Sequence, residues 1–295
     1  AQTQNKAVDD FFNHWFINPV DNTASGAFHT FAEPARFEDI LEIHLRKTLQ
    51  DYLPNPNNLP ASTNSFIGRQ TISQRVVELM ASDETRLITL VGPGGTCKTR
   101  LAMQLGHELL PWFNDGVFFV SLASVTDPEL VPSAIANTLA IKESDEPGAA
   151  SVIKELRRKQ MLLLIDNLEQ VQTAGKYLSD ILNECPGVKI IVTSREALRL
   201  NGAKTVRIPP LALPNVEALP ALNELREVES VRLFVARAQA VRDDFELTND
   251  NARSVVDICK QVDALPLAIE LAASRIRTMS PERLSQALDK RFKVL

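Results

Sequence analysis

Five short strand-like runs, separated by stretches of helical length, set the tightest bound on what this chain folds into. The runs are Leu87–Val91, Val117–Leu122, Met161–Asp166, Lys189–Thr193 and Thr205–Ile208. Helix-like segments lie at Gln70–Ala81, Lys98–Leu110, Pro128–Leu139, Ala150–Arg158 and Thr173–Cys185. Strands alternating with helices of ~10–15 residues build βαβ units and a parallel sheet. The runs are almost continuously apolar, as required when helices cover both faces of the sheet. After Pro214 the strands stop. Val228–Arg242, Asn251–Val262, Pro266–Arg277 and Pro281–Asp289 read as helices. Ser280-Pro281-Glu282 offers a hydroxyl cap, a first-turn proline and an acid, a good helix start. The expected fold is α/β: a parallel sheet with helices on both faces over 66–214, then a small all-helical subdomain over 215–295.

The N-terminal part is different. Residues 1–60 hold 8 of the 17 aromatics, and 4 basic against 8 acidic residues. Glu38–Leu49 could form a short helix. The proline- and asparagine-rich stretch that follows favours extended or turn backbone, so 53–65 is expected to be a linker. Residues 1–52 read equally well as the tail of an upstream domain or as an arm packed on the main body.

The net charge is −5, with 32 Lys and Arg against 37 Asp and Glu. That argues against a broad nucleic-acid-binding face, which needs a positive stripe. The longest apolar runs are strand-sized, which argues against a membrane span. The first residues lack the charged-then-apolar layout of a signal peptide. The three cysteines, Cys97, Cys185 and Cys259, are odd in number and far apart. No disulfide framework or zinc site is indicated, and a reducing, cytoplasmic location fits. His14, His29, His44 and His107 show no ligand spacing.

The first apolar run leads into Gly92-Pro-Gly-Gly-Thr-Cys-Lys-Thr99 and then a helix. This resembles the phosphate-binding loop of NTPases, G-x-x-x-x-G-K-[ST]. Glycines let consecutive N–H groups curl round a phosphate, and the helix N-terminus adds partial positive charge. Lys98 would bridge the β- and γ-phosphates, and the Thr99 hydroxyl would ligate Mg²⁺. Cys97 stands where the pattern has its last glycine. A side chain there puts sulfur near the phosphates or strains the loop by about 1–3 kcal/mol.

A second element supports the first. Met161–Asp166 is a buried run ending in a carboxylate, about 70 residues after the loop. Asp166 would bind Mg²⁺ through water. Many ATPases place a water-activating acid next; here Asn167 stands there, so slow hydrolysis is expected. Glu169 could substitute, or could be an exposed acid early in the following helix. Ligands of parallel sheets lie beyond the C-terminal strand ends. Arg195, just past the Lys189–Thr193 run, would then point toward the γ-phosphate, or else pair with Glu196 or Asp166.

Taken together, Phe66-Ile-Gly-Arg69, GPGGTCKTRLA (Gly92–Ala102), LLLIDNLEQV (Leu162–Val171), TSREALRL (Thr193–Leu200) and LPLAIELAA (Leu265–Ala273) resemble one family in order and spacing. It is the signal-transduction ATPases with numerous domains (STAND), P-loop NTPases with an NB-ARC-like core. The nearest branch is that of the bacterial regulatory ATPases in transcriptional activators of the AfsR and large LuxR types. The resemblance covers about residues 60–295. It implies a five-stranded sheet with the Arg195 strand between the phosphate-loop and Asp166 strands. It implies that Ile67, Gly68, Arg69 and Pro266 hold the adenine and ribose side. Gly92, Pro93, Gly94, Gly95, Thr96, Cys97, Lys98, Thr99 and Arg100 make up the phosphate side. Ala264 replaces a glycine of the pattern, and Gln70 replaces the usual acid. The family normally continues into a winged helix and a repeat array, with an effector domain upstream; this chain stops where the winged helix is expected.

The resulting expectation is an ATP/ADP-binding switch module of a signalling or transcriptional regulator, with Mg²⁺ and slow or absent hydrolysis. Its partners would be nucleotide, those missing regions of the same polypeptide, and in some states a second copy. No nucleic acid or membrane is expected. The alternatives are an interaction scaffold whose phosphate loop is disabled at Cys97, or an active ATPase or phosphotransferase. One scaffold variant makes Cys97 a redox gate, because a thiol near a helix N-terminus has a lowered pKa.

Overall fold

The computed structural model describes residues 55–61, 65–141, 148–197 and 202–292. The N-terminal segment 1–52 and the Glu38–Leu49 helix lie outside the described residues. The described part belongs to one compact unit that starts at Asn55.

The strands are β1 (Leu87–Val91), β2 (Val117–Ser121), β3 (Met161–Asp166), β4 (Val188–Ser194) and β5 (Lys204–Arg207). They pair in the order β2-β3-β4-β1-β5. All neighbours are parallel, with Leu87 opposite Ile190 and Met161 opposite Val188. β4 therefore lies between the phosphate-loop strand and the Asp166 strand. Side chains alternate between two cores. Leu163 and Ile165 of β3 face a core shared with Val131, Ile135, Leu156 and Leu178, while Leu162 and Leu164 face one shared with Val76, Leu101 and Leu105. Burial on both faces explains the apolar runs of β1, β3 and β4, whereas the edge strand β5 buries only Val206.

The first core is covered by α3 (Val131–Thr138), α4 (Gly148–Leu156) and α5 (Gly175–Glu184), and the second by α1 (Gln70–Ala81) and α2 (Lys98–Leu109). The segment expected as a single helix from Pro128 is a 3-10 turn, Pro128–Leu130, followed by α3. Another 3-10 segment, Leu168–Ala174, precedes α5, with Val171 out of helical geometry at φ −136°.

The described part of the expected linker, residues 55–61, is not free chain. Asn57 bridges to Val117 in parallel, and the Asn58 side chain both donates to and accepts from Phe119 of β2. Leu59 is buried in the second core. Gly116 sits at φ 99°, where a Cβ would lie 2.0 Å from the Pro56 carbonyl oxygen. The segment thus covers an edge strand whose backbone groups would otherwise be open to another chain.

The helical part contains α6 (Leu222–Glu227), α7 (Glu229–Val241), α8 (Asn249–Gln261), α9 (Pro266–Ala273) and α10 (Pro281–Phe292). α6 escaped the sequence reading because six residues carry too little periodicity. α8 opens with a capping box between Thr248 and Asn251. The core is built on Phe234, Phe245, Val255, Ile258 and Ile269, and it reaches back to Leu211, before the expected boundary at 215. Leu211 is drawn in by its N–H, which donates to the Ala264 carbonyl at 3.0 Å. Among the described residues no helix is long and apolar enough to cross a membrane.

Candidate functional site

The loop between β1 and α2 is shaped by close approach. At Gly92 a Cβ would fall 2.5 Å from the Ile208 carbonyl oxygen, so only glycine fits. Gly95 (φ 80°) and Cys97 (φ 60°) both adopt left-handed backbone. That geometry is costly for a residue with a Cβ, by about 1–2 kcal/mol. Among the described residues, the N–H groups of Gly95, Cys97, Lys98 and Thr99 find no protein acceptor. They are directed donors at a helix N-terminus, a cradle that suits phosphate oxygens.

Lys98 is buried, and its Nζ donates to the carbonyls of Gly92 at 2.8 Å and Pro93 at 3.1 Å. The ammonium is thus held inside the curl of the loop. Burial lowers its pKa, opposed chiefly by the charge of Glu169, with Arg195 lowering it and Asp166 raising it further. These four charges therefore share one locality.

Asp166 is the hub of a polar network. Its Oδ1 accepts from Thr99 Oγ1 at 2.7 Å and from Thr193 Oγ1 at 2.6 Å. Thr193 Oγ1 in turn accepts from the Asn167 N–H at 3.0 Å. Asn167 is itself left-handed at φ 64°, a conformation that asparagine tolerates better than most residues. Among the described residues no group of three or more His, Cys, Asp or Glu could hold a metal. Thr99 and Asp166 are the right hard oxygen donors for Mg²⁺, which normally keeps several waters and adds phosphate oxygens.

Glu169 is not the exposed acid that its position suggested. The 3-10 turn after β3 brings it back over the strand ends, where its side chain is 15% exposed. Its Oε1 pairs with Arg195 Nε at 3.2 Å. Arg195 pairs with neither Glu196 nor Asp166.

On the other side, Ile67 packs against the helical core. Gly68 is at φ 83°, with Glu229 Oε1 2.9 Å from where a Cβ would sit. The Arg69 N–H donates to Glu229 Oε1 at 2.6 Å, and its guanidinium donates to the Pro209 carbonyl at 2.7 Å. Among the described residues Arg69 Nη1 is buried without a hydrogen-bond partner. Pro266 is buried at the first turn of α9. The next residue, Leu267, donates its N–H to the Gly95 carbonyl at 3.2 Å. Arg100 is engaged by the helical part: its Nη1 meets Glu270 Oε1 at 2.7 Å, an oxygen shared with Arg237 Nε at 2.9 Å.

The redox-gate expectation needs correction. The Cys97 pKa is raised, first by burial and then by the nearby Glu270 charge, with Arg100 and Arg69 only partly offsetting this. Ala264, in place of the pattern's glycine, lies at φ 50°, so both departures from glycine sit on left-handed backbone. Sequence reasoning missed Glu229, Glu270, Arg237 and Thr193. Thr193 left a trace, a hydroxyl ending an apolar run; the other three are joined to the site only through the fold.

Comparisons with known proteins agree with this geometry. Residues 69–205 match the NB-ARC domain model. The chain is 36% identical to the uncharacterized protein Rv0894 of Mycobacterium tuberculosis, covering 78% of this chain and 56% of that protein. It is 28% identical to the regulatory protein AfsR of Streptomyces griseus and 30% identical to AfsR of Streptomyces coelicolor, covering 75% of this chain and 22% of each AfsR. The chain thus spans about half the length of Rv0894. Five strands in this order, a phosphate loop and the matched span make this part of the molecule a nucleotide-binding module. Residues 69–205 are thus similar to the NB-ARC domain.

Proposed function

We propose that this module is an ATP/ADP switch with slow turnover, working inside a cytoplasmic regulator of the AfsR kind. The observation that carries the reading is the phosphate loop itself. Its N–H groups at Gly95, Cys97, Lys98 and Thr99 have no protein acceptor among the described residues, which suits phosphate oxygens, and its Gly95 carbonyl is bonded to the first turn of α9. A ligand in the cradle therefore acts on the loop that the helical part already holds, and differential contact is what lets a ligand shift a conformational equilibrium.

In this reading the loop N–H groups and Lys98 hold the phosphates. Thr99 and Asp166 hold Mg²⁺, which supplies charge neutralisation of the phosphate oxygens when bound. Arg195 reads the terminal phosphate, and Ile67, Gly68, Arg69 and Pro266 enclose the nucleoside. Asn167 has no useful basicity near neutral pH, so turnover is slow. Self-association in the triphosphate state and output through other regions of such a regulator belong to the same reading.

One observation favours the scaffold alternative: Cys97 holds left-handed backbone in the loop, at φ 60°. Calorimetry with Mg²⁺ and ATP or ADP, on the native chain and on Cys97→Gly, separates the two. Binding by the native chain supports the switch. Binding only after Cys97→Gly supports a scaffold disabled at one residue. Small-angle scattering with ATP, with ADP and without nucleotide tests the movement; three identical profiles would sink it.

A further inference from the structure

The arginines around the phosphate loop are not equally free. Arg69 is 4% exposed and committed to the Pro209 carbonyl. Arg100 and Arg237 share Glu270. Arg195 is 68% exposed, and its ion-pair partner among the described residues is Glu169. The pair is unequal: an exposed cation meets a carboxylate that is only 15% exposed. The second oxygen of that carboxylate, Oε2, is buried and has no hydrogen-bond partner among the described residues. Arg195 alone therefore does not satisfy Glu169.

We propose that Glu169 is an internal stand-in for the terminal phosphate, holding Arg195 while no triphosphate is bound and lowering the preference for ATP over ADP. The inference rests on the reading that nucleotide binds this loop. A triphosphate must take Arg195 away from Glu169, so its net gain is the difference between two ion pairs. A diphosphate leaves the Arg195–Glu169 pair intact and bears no such cost. The closed pair is then part of the resting, diphosphate-compatible state.

The test is calorimetry with Mg²⁺ and either ADP or the slowly hydrolysed adenylyl imidodiphosphate. The proteins are the native chain, Glu169→Gln, Arg195→Met and the double variant. Gln is nearly isosteric, and thermal melts check that each protein is folded. Glu169→Asp, which draws the charge back by one methylene, serves if the Gln variant does not fold. The expected result is that Glu169→Gln tightens the triphosphate by about three- to tenfold while ADP changes less. The double variant should show the same triphosphate-to-diphosphate ratio as Arg195→Met alone. Equal tightening of both ligands would mean only general repulsion and would overturn the proposal. So would an unchanged or weakened triphosphate affinity. Absence of binding by every protein, Cys97→Gly included, would instead remove the nucleotide reading beneath the proposal and the proposal with it.

Discussion

Thr99 and Asp166, brought together from the start of α2 and the end of β3, are joined by a 2.7 Å hydrogen bond from hydroxyl to carboxylate. The same Oδ1 accepts from the buried Thr193. Asp166→Asn keeps an acceptor but removes the charge. It should leave the fold intact and abolish most of the Mg²⁺ dependence of nucleotide affinity, by tenfold or more, read by calorimetry with and without Mg²⁺. Asp166→Ala strands buried hydroxyls and should cost about 1–3 kcal/mol in urea unfolding.

Cys97→Gly should relieve left-handed strain of about 1–2 kcal/mol. Glycine's greater freedom in the unfolded chain takes back roughly 0.4–1 kcal/mol of that. The net rise in stability is therefore small, whereas nucleotide affinity should rise by up to about tenfold. Unchanged affinity would show that the loop accommodates the thiol without cost to the ligand.

The raised pKa of Cys97 has a kinetic consequence. Less thiolate is present at a given pH than for a free cysteine, and thiolate is the reactive form. Iodoacetamide should label Cys97 slowly at pH 7 and progressively faster as the pH passes above 9. Bound Mg-nucleotide should protect it. Rapid labelling at pH 6 by mass spectrometry would contradict the assignment. Cys259, pushed up to about 12 by burial, should stay unlabelled throughout.

Glu270 neutralises two arginines with one oxygen. Arg237 is 14% exposed, so Glu270→Ala leaves a largely buried cation without this partner. The expected cost is about 1–3 kcal/mol, reduced by water reaching the more exposed Arg100. A double-mutant cycle with Arg237→Ala should recover part of it. Additive effects would show that the two side chains do not interact in solution.

Glu229 accepts from the N–H of Arg69 at 2.6 Å and from that of Ala212 at 3.3 Å, tying the first residue of α7 to the chain before α1 and to the chain before α6. Glu229→Ala should destabilise by about 1–3 kcal/mol and weaken nucleotide binding through the displaced Ile67–Arg69 segment. Glu229→Gln, which keeps an acceptor, should do less on both counts.

How much of this was readable from sequence depends on whether a feature is local. The strands β1, β3 and β4 were legible because burial on both faces leaves little room for polar residues, and Gln70–Ala81 because one helix face repeats. The phosphate loop was legible because its residues are neighbours in sequence. Glu169 was misplaced because a 3-10 turn, not a regular helix, follows β3, and its partner Arg195 lies 26 residues further along the chain. Glu229 and Glu270 were invisible because their partners lie far away in sequence. Their contacts exist only once the helical part is laid against the strand ends.

The bond from the Leu267 N–H to the Gly95 carbonyl runs between main chains. No ordinary side-chain replacement deletes it, so both segments can drift in sequence while the tie persists. A change of length is another matter. One residue inserted after Gly95 or before Leu267 shifts the register by about 3.8 Å, beyond the reach of a hydrogen bond. Spacing, more than residue identity, is therefore what this coupling asks evolution to keep.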